Sequence, residues 1–175
     1  MVQIIMAVKK LLLLRHAKSS HRDSSIADHD RPLASRGQRA AEAMAVHMRE
    51  HGVEPALVLC SSAVRARQTL DGVAPGLGPS PEVRVESELY ELSAAGLLGR
   101  LQRIPDAVPS TMLIGHNPAI ERLALDLANG GADLAKLARK YPTGALAILE
   151  FGGTWSALDA DRARLVAFVR PRDLE

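Results

Sequence analysis

Two aliphatic runs of strand length in this chain lead straight into a histidine: Leu11-Leu12-Leu13-Leu14-Arg15-His16 and Met112-Leu113-Ile114-Gly115-His116. A continuous apolar run bounded by charge is the pattern of a strand buried on both faces, and such a sheet needs helices on both sides. Strands of this kind stop at a common edge where the chain turns toward solvent. Ligands settle in the crevice beyond their carboxyl ends. An imidazole at that edge with an arginine beside it suits phosphoryl chemistry, because the ring can attack phosphorus while the guanidinium holds phosphate oxygens.

The segments between these runs fit that architecture. Val8 to Leu14 is the expected first strand, and residues 18–32 are polar and without period, hence a loop. Ser35-Arg36-Gly37-Gln38 has the form of a capping box and opens an alanine-rich helix to about His51, with Gly52 as its terminator. A strand over 56–60 leads through Ser61 and Ser62, both competent caps, into a helix over 63–73. A short strand around Val83 and Val85 and a helix over 92–104 follow. After the strand over 111–115, Asn117 supplies an N-cap and Pro118 the first helical position; that helix runs to about Ala128 and stops at Asn129-Gly130-Gly131. A helical piece over 134–139 and strands over 145–151 and 165–169 complete the chain. Alternating strands and helices predict a three-layer α/β/α sandwich, its sheet mostly parallel with an antiparallel strand near the end. A length of 175 residues suits a single domain with its core at about 8–170, and Met1 to Ala7 read as an extension ahead of the first strand.

Composition removes several functions. Only 3% of residues are aromatic, so the stacking platforms of single-stranded nucleic-acid binders are scarce. A formal net charge of +2 implies no polyanionic nucleic-acid partner, and an arginine-lined site for one small anion fits better. Cys60 is the sole cysteine, so no internal disulfide forms and a reducing, cytoplasmic location is expected. The apolar start is broken by Lys9 and Lys10, is too short to span a membrane, and lacks the basic region and cleavage site of a signal peptide. No membrane partner is expected, and the chain is compatible with a monomer or a small homo-oligomer.

Three strand-to-helix junctions share one design. Arg15-His16 follows the first strand, Ser61-Ser62 leads into a helix whose first turn carries Arg65, and His116 lies between a strand and the Asn117-Pro118 cap. If these strands are parallel, two arginines, two histidines and two helix N-termini converge on one point, and helix N-termini attract anions themselves. One neutral imidazole would attack phosphorus, Arg15 and Arg65 would fork onto the equatorial oxygens, and the other histidine would donate a hydrogen bond. Unless the leaving group is a good one, a carboxylic acid is needed near it.

Together, Arg15-His16-Ala17 with Lys18-Ser19, Arg65-Ala66-Arg67-Gln68-Thr69 and Gly115-His116-Asn117-Pro118 resemble the histidine phosphatase (phosphoglycerate mutase-like) superfamily. Asp30-Arg31-Pro32-Leu33, the following Gly37 and the short length resemble its SixA-type phosphohistidine phosphatase branch. The likeness runs from about Lys10 to Val169. It implies a phosphoglycerate mutase-like fold and a phosphatase acting through phospho-His16, with Arg15, Arg65 and His116 completing the phosphate pocket and no metal or cofactor. It also implies an acid in a Leu-x-Glu segment, which Leu89-Tyr90-Glu91 matches, with Glu88 as its rival. Ala17 stands where Arg-His-Gly is commoner, and Ser62-Ala63 replaces Ser-Pro; neither change removes a reactive group.

The implied substrate is phosphorylated protein, above all protein phosphohistidine, because so short a chain leaves little room to roof a small metabolite. The competing readings are a phosphatase or mutase of small phosphorylated metabolites on the same fold, and a non-catalytic phosphate-binding module. Lys18 and Ser19 are further substrate-binding candidates. Arg31 either reaches the pocket or pairs with Asp28 or Asp30, and Arg67 lies on the outer face. His47 and His51 share an exposed helical face, while His21 and His29 belong to the polar loop without a role. Cysteine-dependent phosphatases carry Cys-x5-Arg, whereas four residues separate Cys60 from Arg65, so Cys60 reads as a small core residue. The sequence contains no Gly-x4-Gly-Lys loop, which excludes P-loop nucleotide chemistry.

Overall fold

Successive residues of a strand point to opposite faces, and the leucines of the first strand divide accordingly between two cores. The computed structural model describes residues 7–175, so the expected extension, Ala7 apart, lies outside the described residues. Strand β1 (Val8–Arg15) sends Leu11 and Leu13 into one apolar cluster and Leu12 and Leu14 into another. The first cluster is closed by helices α3 (Ala94–Gln102), α4 (Ala119–Leu127) and α5 (Leu134–Arg139), through Leu97, Leu101, Ile120, Leu123 and Leu137. The second is closed by α1 (Ser35–Glu50) and α2 (Val64–Val73), through Ala41, Met44, Met48, Ala66 and Val73. Each fully buried leucine contributes about 1.5–3 kcal/mol, so β1 stabilises both halves of the sandwich at once. Among the described residues no helix is long and apolar enough to cross a membrane.

The remaining strands are β2 (Leu57–Ser61), β3 (Glu82–Glu86), β4 (Ser110–Gly115), β5 (Leu146–Gly152) and β6 (Arg164–Val169), in the spatial order β3-β2-β4-β1-β5-β6. Strands β1 to β4 pair in parallel, and β5 runs antiparallel to both neighbours. The registers Arg15↔Gly115 and Cys60↔Ile114 bring three carboxyl ends level. The edge strand β3 leaves Val83 and Val85 half exposed but carries Glu82, Arg84 and Glu86, charges that discourage pairing with another chain.

Three helix starts differ from the sequence expectation, each because a tertiary contact outweighs the local cap. Helix α1 is capped by Ala34, not by a Ser35 capping box, and no side chain bonds there. Ala34 N–H donates to the Lys18 carbonyl at 2.9 Å, and a Cβ on Gly37 would lie 2.2 Å from that same oxygen. The docking of the 18–34 loop on this glycine therefore sets where the helix begins. Ser61 and Ser62 leave the cap of α2 to Ala63 and turn their hydroxyls to His116 and His29. Pro118 takes the cap position expected for Asn117, so α4 starts one residue later, while Asn117 donates through Nδ2 to the Tyr141 carbonyl at 3.2 Å and accepts through Oδ1 from Glu121 N–H at 3.3 Å.

Tyr141 joins the sheet to the segment ahead of β5. Its buried hydroxyl donates to the Leu13 carbonyl at 2.5 Å and accepts from Ala147 N–H at 3.2 Å. Tyr141→Phe leaves both backbone groups without that partner, and the expected loss is about 1–3 kcal/mol of unfolding free energy in urea. A loss within about 0.3 kcal/mol of zero would mean that the hydroxyl carries no such burden.

Candidate active site

The carboxyl edge of β1, β2 and β4 gathers residues from distant parts of the chain. His16 N–H donates to the Gly115 carbonyl at 3.0 Å, and the carbonyls of Arg15 and His16 both accept from Gly144 N–H, at 3.1 and 3.0 Å. These bonds fix the backbone of residue 16, whose side chain is buried with 7% of its surface exposed. Its Nδ1 lies 2.7 Å from the Ala17 carbonyl, an oxygen that can only accept, so the ring proton sits on Nδ1. The lone pair is then on Nε2, which receives Arg65 Nε–H at 3.3 Å.

His116 stands beside it, with ring centroids 5.1 Å apart. Ser61 Oγ accepts from Ala63 N–H at 3.3 Å and forms a second hydrogen bond with His116 Nε2 at 2.7 Å, which fixes the plane of that ring. His116 Nδ1 is buried with no partner among the described residues, and so is Arg15 Nε. Arg15 also donates through Nη1 to the Tyr141 carbonyl at 2.8 Å. Arg15 Nε–H can only donate, and an oxyanion oxygen is the kind of partner that satisfies such a buried donor.

Both imidazoles are held neutral. Burial pushes His16 from 6.5 down to about 3, with His116, Arg65 and Arg15 adding to the effect against the Ala17 hydrogen bond. Burial and Arg65 push His116 down to about 4, against the attraction of Asp28. Burial also lowers Arg15 from its ordinary value, leaving a poorly hydrated cation that gains by meeting an anion.

The carboxylate that meets this cluster is Asp28, not Glu91. Arg65 donates through Nη1 to the Asp28 carbonyl at 2.6 Å and through Nη2 to its Oδ2 at 3.0 Å, and the Tyr90 hydroxyl donates to the same Oδ2. Arg31 grips Oδ1 through Nε and Nη2, which resolves its two sequence readings in favour of pairing with Asp28. The Tyr90 hydrogen bond, then those of the two arginines, holds Asp28 well below the usual carboxylate range. Tyr90 itself packs edge-on to His116 at 5.3 Å and His29 at 4.9 Å, and the Arg65 guanidinium lies 5.8 Å from its ring centre.

Several sequence candidates stand elsewhere. Glu91 is exposed and makes no hydrogen bond to the cluster, because Ser87–Tyr90 form a 3₁₀ turn that sends Leu89 inward and Tyr90 to the site. At about three residues per turn, the neighbouring position points away. Glu88 pairs with Arg103 at 3.5 Å. Ser19 is buried and bridges to Leu33, while Lys18 is exposed and lines a separate cavity. His29, read as a loop residue without a role, joins the rim through Ser62 Oγ at 2.9 Å. His47 and His51 stack at the end of α1, with His51 Nδ1 2.8 Å from the His47 carbonyl. Cys60 is buried, and burial pushes its thiol up to about 12, which leaves it inert as a nucleophile. Asp28, Tyr90 and Ser61 are the residues of this cluster that sequence reasoning missed.

With this geometry in place, the likeness to known proteins is informative. Residues 11–153 match the model of the histidine phosphatase superfamily (branch 1), and the chain belongs to that superfamily. Its structural likeness is of the SixA type. A candidate phosphohistidine phosphatase SixA from Nakamurella multipartitia superposes with a TM-score of 0.81 at 29% identity, covering 94% of this chain and 97% of that one. Another from Agrobacterium tumefaciens gives 0.78 at 32% identity, covering 93% and 98%. An uncharacterised Mycobacterium tuberculosis protein is 37% identical over 163 residues, 91% of this chain and 100% of that protein.

A histidine whose folded value is depressed adds stability above its unfolded value, and that contribution is lost as pH falls. Both imidazoles here act in this sense between pH 6.5 and about 3 to 4, at ~1.4 kcal/mol for each unit of depression. Urea stability is therefore expected to fall on acidification from pH 6.5 to 4, less steeply in His16→Ala. The ring NMR signals of His16 and His116 should show no protonation step between pH 8 and 5. A step near 6.5 for either ring would refute the neutral, buried state of the pair.

Proposed function

We propose that the protein is a phosphatase that forms phospho-His16 and that its substrate is protein phosphohistidine. The observation that carries the reading is the buried, neutral His16 ring, its proton tied to the Ala17 carbonyl and its Nε2 turned to Arg65 beside His116. Nε2 attacks phosphorus, the bond from phosphorus to the leaving group breaks, and the leaving group departs with the bonding electron pair. Water then attacks phospho-His16, giving inorganic phosphate and restoring the imidazole. Arg65, Arg15 and His116 supply donors for the oxygens on which charge accumulates, and one arginine in such a position is worth ~10³ or more in rate.

The preference for a phosphoramidate rests on the leaving group. An alkoxide needs a proton as it leaves, yet the carboxylate at this site is held ionised by Tyr90, Arg65 and Arg31, and Glu91 stands apart. A phosphohistidine protonated on its other ring nitrogen loses a neutral imidazole, and since an imidazole titrates at about 6.5 that proton comes from solvent at neutral pH, with no acid of the protein needed. Transfer from one imidazole to another is also close to balanced in free energy, so no strong acid is required. The candidate phosphohistidine phosphatases among its structural neighbours agree with this reading.

Wild-type protein mixed with a ³²P-phosphohistidine peptide and quenched in alkali should retain label, which His16→Ala should lack, while its turnover falls by at least ~10³. Near-normal turnover in that variant would overturn the covalent mechanism. The phosphohistidine peptide should also exceed a simple alkyl phosphate by at least ~10² in kcat/KM, since the alkoxide lacks its proton donor. Equal rates on the two would retire the phosphohistidine preference and leave the phosphatase.

A further inference from the structure

A cavity of about 360 Å³ lies beside the phosphate pocket, within the size range of sites that enclose small ligands or a few side chains. Lys18, Arg36, Arg139, Lys140 and Arg172 line it, and none of these five has an ion-pair or side-chain hydrogen-bond partner among the described residues. Lys136 and Arg170 line it too; Asp173 answers both, at 3.5 and 2.7 Å. The whole chain carries a formal net charge of only +2, so this accumulation is a local feature and not a reflection of a basic protein.

The cavity is built onto the catalytic backbone. Gly144, at φ +77°, donates to the carbonyls of Arg15 and His16, and a Cβ there would lie 2.9 Å from Pro171 Cγ and 3.9 Å from the Ala17 Cα. Pro142, Thr143 and Pro171 of the lining thus flank the residue that fixes His16. Lys18, two residues after His16, belongs to the lining as well. At about 3.3–3.6 Å per residue, the backbone of Lys18 lies within ~7 Å of that of His16.

We infer that this cavity receives an acidic segment of the substrate, carboxylate side chains a few residues from the phosphohistidine. The inference rests on the phosphohistidine reading and adds a preference for acidic flanks. The five unpaired cations are long side chains with exposed ends, so their charges can follow carboxylates at variable spacing. Such exposed charge acts through long-range attraction, which raises the encounter rate and is screened by salt.

The test compares two phosphohistidine peptides on the full chain, one with Asp and Glu flanking the phosphohistidine and one with Ser and Gly. The acidic peptide should show kcat/KM about tenfold higher at 50 mM salt, with the difference gone at 1 M NaCl and in Arg139→Glu/Arg172→Glu. p-Nitrophenyl phosphate, too small to reach the cavity, reports whether that variant folds, and Arg139→Gln/Arg172→Gln should fall between it and wild type. Equal rates on the two peptides, or a preference that survives charge reversal, would overturn the inference while leaving the phosphatase intact. If neither peptide is hydrolysed and p-nitrophenyl phosphate is, the phosphohistidine reading fails. Fluorescence anisotropy of the unphosphorylated acidic peptide then decides the cavity, since binding lost on charge reversal supports the inference and no binding ends it. Displacement of that peptide by tripolyphosphate at lower concentration would reassign the cavity to a small polyanion and overturn the peptide assignment.

Discussion

The parallel pairing of β1 with β4 is the constraint from which the site follows. Because Leu11 through Arg15 lie opposite Thr111 through Gly115, the next residue on each strand is a histidine, and the His16 amide closes onto the Gly115 carbonyl. A slip of one residue would exchange the two faces of β1, send Leu12 and Leu14 into the wrong core, and part the imidazoles. The leucine pattern that stabilises the sandwich therefore also sets the distance between the two rings. Fold and chemistry share one register.

Around that pair the protein arranges buried donors. His16 and His116 lose their charged forms to burial, while Arg65 and Arg15 keep positive charge nearby. A phosphate entering this site would find fixed N–H groups instead of mobile dipoles, the condition under which electrostatic stabilisation is strongest. The Ala17 carbonyl is a small part of the site, yet it decides which nitrogen of the His16 ring carries the proton, while Ser61 holds the His116 ring in place.

The strands, the order of helices and the chief site residues were legible because each sits where a local pattern changes: an aliphatic run ends, and Arg-His or Gly-His follows. What was not legible depends on how a loop folds back. Asp28 looked like one of several acids in a polar stretch, and only the docking of residues 18–34 against Gly37 turns it onto Arg65. Leu89-Tyr90-Glu91 was noticed for its glutamate, but the turn geometry delivers the tyrosine. Ser35, Ser61 and Asn117 carried correct capping chemistry, yet tertiary partners drew the helix starts one or two residues away.

Arg65 has one further consequence. Its Nη1 and Nη2 are both anchored on residue 28, and its Nε meets His16. A free arginine side chain holds about 2 kcal/mol of rotamer entropy. Here that freedom is surrendered as the polypeptide folds, long before any phosphorylated molecule arrives. In the proposed phosphatase the guanidinium would meet its visitor already aimed, and the tightness of that encounter would owe as much to a loop thirty-seven residues upstream as to the arginine itself.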